Sequence, residues 1–301
     1  MDASVELVKH LLQSVVYIHA TVPRDHPSTR ILGDERMGSG VVVDSSGLIL
    51  TVNYVVMGGQ SVDVTFQKGR RVKGEIVAQD YEVGLALVRV KRQGLPAVRL
   101  GSADALERGD AVISLAAIGA QERRIAGGVV TYLGEFEAYW EYLLERGIVS
   151  SAPNPGFNGG GLFAMTGAMV GTPYLNLSEI ARNSLAIPVD FYRAHEQELL
   201  RYGRVVSRPR RAWLGVFAHA LEEGVVVAGV VPDGPGDRSG LQEGDLIVSI
   251  NAEEVATRRD LYLSLWRHEP GESLTLEVMR EKKVRRFEVK GGDRAYFFRP
   301  L

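Results

Sequence analysis

Nucleophilic hydrolysis needs three functions: a nucleophilic oxygen or sulfur, a base that takes its proton, and a carboxylate that orients the base. The 301 residues contain no cysteine, which removes thiolate nucleophiles, disulfides and thiolate-ligated metals together. Six histidines remain as candidate bases: His10, His19, His26, His195, His219 and His268. None of them joins carboxylates in a metal-ligand pattern. Ser150 and Ser151 precede a glycine-rich stretch, Asn154-Pro-Gly-Phe-Asn-Gly-Gly-Gly-Leu-Phe163, and read as strand hydroxyls along its wall. Neither a P-loop nor a dinucleotide-binding glycine motif occurs, so no cofactor and no metal is expected.

These residues sit among many short β-rich runs. Val15–Ala20, Gly40–Val43, Leu48–Val52, Val62–Phe66, Leu85–Val90 and Ala111–Ala116 are separated by Gly, Pro, Asp or charged residues. Val129–Leu133, Ile148–Ser150, Gly161–Ala164 and Ala168–Gly171 continue the series. Such punctuation predicts a barrel or sandwich, and 34 glycines fit many tight turns. Ala3–Leu12 has helical spacing, with Val5, Val8, Leu11 and Leu12 on one face, and Pro188–Tyr202 reads as a helix stopped by Gly203. Arg204–Arg211 reads as an interdomain linker whose arginines form a solvated hinge. Beyond it, Val225–Val231 and Leu246–Ile250 read as strands, Asp260–Trp266 as a helix, and Leu274–Arg280 with Val284–Val289 as a hairpin. Tyr139–Leu144, with Trp140, reads as a packing insertion.

The balance of 35 basic and 37 acidic residues gives a net charge of -2 and argues against nucleic-acid binding driven by bulk charge. No run approaches the roughly 18 apolar residues of a membrane span, so no integral membrane segment is expected. Asp2, Glu6 and Lys9 interrupt the N-terminal apolar pattern, unlike a secretory signal. The compartment stays open: cytoplasmic as the sequence is written, or exported if a leader has been removed.

Four ordered segments resemble the HtrA/DegP family of chymotrypsin-fold serine proteases: Gly38–Val56, Asp80–Val88, Asn154–Phe163 and Leu185–Asp190. A following unit resembles the family's PDZ domain, through Trp213-Leu-Gly-Val216 and Val231–Asn251. The resemblance implies a mainly β protein, a chymotrypsin-like double β-barrel followed by a PDZ domain. It divides the chain into a protease-fold domain over 1–203, a linker over 204–211, a PDZ domain over 212–292 and a C-terminal tail over 293–301. It also implies a homo-trimer, with Val5–Tyr17 as the contact, or a mixed oligomer with active relatives. By family, the compartment would be periplasmic.

The resemblance places Tyr54 where the family carries its histidine, Gly84 where it carries aspartate and Asn158 where it carries serine. A phenol is a poor base at neutral pH, glycine has no carboxylate, and a carboxamide forms no acyl-enzyme. Two readings follow. In the first the chain is not an enzyme but a pseudoprotease that binds peptides as a scaffold, adaptor or chaperone-like factor. In the alternative it is a serine-endopeptidase-family enzyme with residual or unorthodox activity. Gly156 and Asn158 would retain a vestigial oxyanion hole, or serve the fold while Phe157 and Tyr54 fill the cleft.

By the same resemblance, backbone N–H groups of Leu214, Gly215 and Val216 would receive the C-terminal carboxylate of a peptide or unfolded segment, and the peptide would add a strand to the sheet edge. Leu261 and Leu265 would line the pocket for its last side chain, or belong to the core. The aromatic tail, Phe297-Phe298-Arg299-Pro300-Leu301, would occupy its own or a neighbour's groove, or else be a disordered end or cover a β-edge.

Overall fold

The alternating runs close into two β-barrels. The computed structural model describes residues 3–177 and 183–299. After a helix over Ala3–Ser14, the first barrel takes β1 (Val15–Thr21), β2 (Glu35–Asp44), β3 (Leu48–Val52), β4 (Ser61–Thr65), β5 (Arg71–Asp80) and β6 (Leu85–Val90), closing in the order β1-β2-β3-β6-β5-β4. The second takes β7 (Ala111–Ala117), β8 (Arg123–Ala138), β9 (Tyr142–Ser150), β10 (Gly161–Ala164), β11 (Met169–Leu177) and β12 (Asn183–Pro188), closing in the order β10-β11-β12-β9-β8-β7. Every residue of β3 is buried, as expected for a strand walled in on both faces.

The helix Asp190–Tyr202 follows β12 and ends on left-handed Gly203, whose N–H reaches the Leu199 carbonyl. It begins two residues later than the sequence predicts, because Pro188 closes β12 instead. The third sheet has β13 (Val216–Leu221), β14 (Gly224–Val230), β15 (Leu246–Ile250), β16 (Glu253–Glu254), β17 (Ser273–Arg280) and β18 (Lys283–Lys290), ordered β13-β14-β15-β17-β18 with β16 beside β15. Its helix, Arg258–Leu265, starts on a capping box in which Thr257 and Asp260 bond each other's backbone. Val225, Val227, Ile247, Ile250, Leu261, Leu265 and Leu276 form a core of their own under this sheet.

Two expectations change. Tyr139–Leu144 is no separate insertion. β8 runs 16 residues and turns through Tyr139-Trp140-Glu141 into β9, so this segment is a hairpin tip and the start of β9. The linker is no solvated hinge either: three of its four arginines are tied down, while Arg204 is exposed. Arg208 pairs with buried Asp80 at 2.9 and 3.1 Å, Arg211 reaches Glu82 at 3.5 Å and lies over the Trp266 ring, and Arg210 pairs with Asp293. The partners come from β5, the turn after it and the C-terminal segment, so the linker is bonded along its length. Local composition does not reveal partners so distant in sequence.

Candidate functional site

The end of β3, the turn before β6 and the glycine-rich loop before β10 bring Tyr54 and Asn158 together, with Gly84 one aromatic ring away. Tyr54 lies on a single helical turn, Asn53–Val56, that continues β3. Its hydroxyl donates to the Tyr174 carbonyl at 3.4 Å, and the two rings pack with centroids 5.7 Å apart. Burial pushes the Tyr54 phenol above its usual value, with a hydrogen bond to Asn158 acting the other way. Asn158 Oδ1 also accepts from Asn154 Nδ2.

Gly84 has φ +88°, and a Cβ there would meet the Tyr174 ring at 3.0 Å. The tyrosine of β11 therefore takes the space that a side chain at position 84 would need. The Gly156 N–H faces Asn154 Oδ1 at 3.4 Å, inside its own loop. Gly159, at φ +92°, packs so tightly that a Cβ would lie 2.3 Å from the Ser39 carbonyl oxygen. Phe157 packs against Tyr17, with ring centroids 6.0 Å apart.

The second site is the loop that enters β13. Gly215 turns at φ +75°, and three successive N–H groups converge on one point. That point holds a carboxylate. Glu141 accepts from Leu214 N at 3.0 Å through Oε2, and from Gly215 N at 2.6 Å and Val216 N at 2.9 Å through Oε1. Glu141 is 1% exposed and left-handed at φ +54°. Complete burial raises its carboxyl pKa, against the pull of Arg294 and of the three N–H groups.

The rest of the hairpin tip lies along the same groove. Ala218 N on β13 donates to the Tyr139 carbonyl at 2.6 Å, the bond an added strand would make. The Tyr262 hydroxyl donates to the Ala138 carbonyl at 2.5 Å and accepts from Glu141 N at 3.1 Å. Arg294 holds the Trp140 and Glu141 carbonyls at 3.0 and 2.7 Å. Leu261 and Leu265 are fully buried in the core of this sheet, and the hairpin is met instead by Tyr262 between them and by Arg258 and Arg259, which pair with Glu137 and Glu135 of β8.

Phe297 packs tilted and Phe298 edge-on against Trp213 beside the loop, while Tyr81 and His26 hold the Phe298 and Arg299 carbonyls. The described tail residues thus cover an aromatic flank, and the loop itself is taken by Glu141. Pro300 and Leu301 lie outside the described residues. A cavity of about 300 Å³ separates the two sites, lined by Tyr54, Met57 and Tyr174 on one side and by Tyr139, Trp140 and Phe217 on the other. Sequence reasoning reached the loop but missed Glu141. The one available signal was a lone acidic residue between Trp140 and Tyr142, and it points nowhere without the fold.

A Trypsin-like peptidase domain profile matches residues 38–171, and a PDZ domain profile matches residues 212–290. A protein of Ectopseudomonas mendocina (strain ymp) named "Probable periplasmic serine endoprotease DegP-like" is 28% identical over 292 residues, covering 90% of this chain and 59% of the relative. One of the same name from Hahella chejuensis (strain KCTC 2396) is 30% identical over 261 residues, covering 81% of this chain and 54% of the relative. The chain thus spans less than two thirds of the length of these relatives. Among solved structures, the HtrA-type protease AlgW with a tripeptide superposes with a TM-score of 0.60 at 26% identity, covering 97% of this chain and 98% of that one. These names overturn the expectation that the chain is not an enzyme: the proteins it resembles are called serine endoproteases. With the double barrel, the third sheet and both domain matches in the same order, the chain is HtrA-like, a trypsin-fold serine-protease homologue with a C-terminal PDZ domain.

Proposed function

We propose that this HtrA-like protein recognises free C-terminal carboxylates of peptides or unfolded protein segments through Leu214, Gly215 and Val216. The observation that carries the reading is the loop's three N–H groups, all directed at a single carboxylate within 2.6–3.0 Å. Charge-assisted bonds of this kind are the strong ones, and a peptide terminus offers the same two oxygens. The AlgW structures with bound peptides lend support from a relative.

A second reading, favoured by the relatives' names, is proteolysis of the bound protein. Tyr54, Gly84 and Asn158 lack the base, carboxylate and nucleophile of a serine triad, so turnover would have to be unorthodox in its chemistry. The domain division at 203, 211 and 292, assembly as a trimer through Val5–Tyr17 and a periplasmic location belong to the same proposal.

The test uses the full chain. Peptides ending in Val, Leu or Phe, with free or amidated C-termini, are titrated and binding is followed calorimetrically. Binding that needs the free carboxylate supports recognition, and equal binding of the amides sinks it. Incubation with casein decides the second reading: it requires fragments above a protease-free control.

A further inference from the structure

The loop that would read a peptide's end is already reading something. We infer that the β8–β9 hairpin tip is a resident intramolecular ligand of the PDZ groove, with Glu141 standing in for a peptide's terminal carboxylate, so that an external C-terminus binds only by displacing it. The inference rests on the recognition reading above and names how access to that site is controlled.

Three contacts imitate three parts of a bound peptide. The Glu141 carboxylate takes the loop N–H groups. The Tyr139 carbonyl takes the Ala218 N–H of β13, as an added strand does. The Tyr139 ring stacks on His219 and tilts against Phe217, both on the same strand. The tip is an internal turn, however, so its carboxylate comes from a side chain, and Glu141 has to adopt a left-handed φ of +54° to deliver it. That conformation is costly for a non-glycine residue and persists only where surrounding contacts impose it. Tyr262 supplies two of those contacts and Arg294 another two.

Two occupants cannot share three N–H groups. Apparent affinity for an external peptide is therefore the intrinsic affinity reduced by the fraction of molecules whose hairpin has left the groove. Weakening the resident carboxylate must tighten external binding.

The test measures affinity for the peptides ending in Val, Leu or Phe in full-length wild type, Glu141→Gln, Tyr262→Phe and Glu145→Gln. In Glu141→Gln one oxygen becomes an NH₂ group, and a donor then faces a loop N–H. Free-carboxylate peptides should bind this variant about tenfold tighter or more than wild type, the scale of one lost charge-assisted hydrogen bond. Tyr262→Phe should tighten binding less. Glu145→Gln, an exposed position on β9, should leave it unchanged. A measurement without substitutions guards against folding defects. Saturating wild type with free-carboxylate peptide should speed hydrogen exchange at the Glu141 amide while Gly215 and Val216 stay protected, and the amidated peptide should leave the Glu141 amide as slow as in the free protein. If wild type binds as tightly as Glu141→Gln and the hairpin amides keep their protection, the resident-ligand inference is overturned while recognition survives. If no form binds a free carboxylate, both fail and the contact is permanent.

Discussion

The cleft between the barrels and the carboxylate loop of the PDZ domain share one building principle and differ in what occupies them. Both rest on glycines that bring backbone close to a target: Gly159 at φ +92° against the Ser39 carbonyl, and Gly215 at φ +75° beneath Trp213. In the cleft, neighbouring side chains close over the frame. Tyr54 packs on Tyr174, Tyr174 stands over Gly84, and Asn158 bonds Asn154. In the loop, the three N–H groups remain directed at a carboxylate and have found one. A site built from side chains changes its chemistry with each substitution. A site built from backbone keeps its chemistry as long as the turn survives, and what changes is its occupant.

The sharpest way to break the comparison is to remove the cleft's frame. Gly159→Ala places a methyl 2.3 Å from a backbone oxygen and 2.5 Å from Thr51 Oγ1, at a φ that side chains avoid. Neither neighbour is a flexible side-chain end. We expect a loss of about 3 kcal/mol or more, read from the urea midpoint. A loss below about 1 kcal/mol would mean that the loop re-forms easily and that its glycines are not its frame.

Next in size is the tie between the regions. Arg208, on the linker, bonds Asp80 at the end of the strand that leads to Gly84, and the Asp80 side chain is 4% exposed. Among the described residues, Arg208→Ala leaves that carboxylate buried with the Glu82 and Val83 N–H groups as its remaining partners. Breaking a buried pair from one side costs about 3 kcal/mol. Thermal unfolding of the variant should show the loss, and an unchanged midpoint would return the linker to the solvated hinge that its composition predicts.

Position 84 sharpens the comparison at smaller cost. Gly84→Ala should destabilise by about 1–2 kcal/mol, because φ is +88° and the Tyr174 ring lies 3.0 Å from the new Cβ. Chemical denaturation measures it. Gly84→Asp meets the same ring with a larger side chain, so placing a carboxylate there also requires trimming Tyr174. If Gly84→Ala is neutral, the tyrosine yields and the cleft is open to side-chain replacement.

Alternation and turn residues made short strands and a barrel or sandwich legible, because these depend on neighbours in the chain. The double barrel, the PDZ domain and the Leu214–Val216 loop came from the resemblance of ordered segments to the HtrA/DegP family. It did not make Glu141 legible. That residue meets the loop 73 positions away, through a conformation nothing in Tyr139-Trp140-Glu141-Tyr142 advertises. β5 was missed although Arg71, Lys73 and Glu75 alternate with Val72, Gly74 and Ile76, a period-two pattern interrupted by one glycine; it is completed as a strand by pairing with β4 and β6. The linker's ion pairs and the tail's seat on Trp213 are likewise long-range. Tertiary partners decide them, and local composition points elsewhere.

The smallest expected effect tests whether the linker is held at its start as well as at Arg208. Glu198, near the end of the helix Asp190–Tyr202, accepts from the Ser207 hydroxyl at 2.7 Å and from the Ser207 and Val206 N–H groups at 2.7 and 2.5 Å. The Ser207 hydroxyl, then these N–H groups, pull its carboxyl down to about 2. A carboxyl lowered on folding contributes stability above its unfolded pKa and loses it as pH falls through the folded one. The stability gap between wild type and Glu198→Gln should therefore be constant above about pH 5 and shrink steadily toward pH 2. Ser207→Ala should narrow the gap at neutral pH, because it removes the largest of the three donors. Denaturation series at pH 7, 4 and 2.5 trace the curve. A gap independent of pH would mean that the ionised carboxylate does not hold the linker, and would leave Arg208 as its principal anchor.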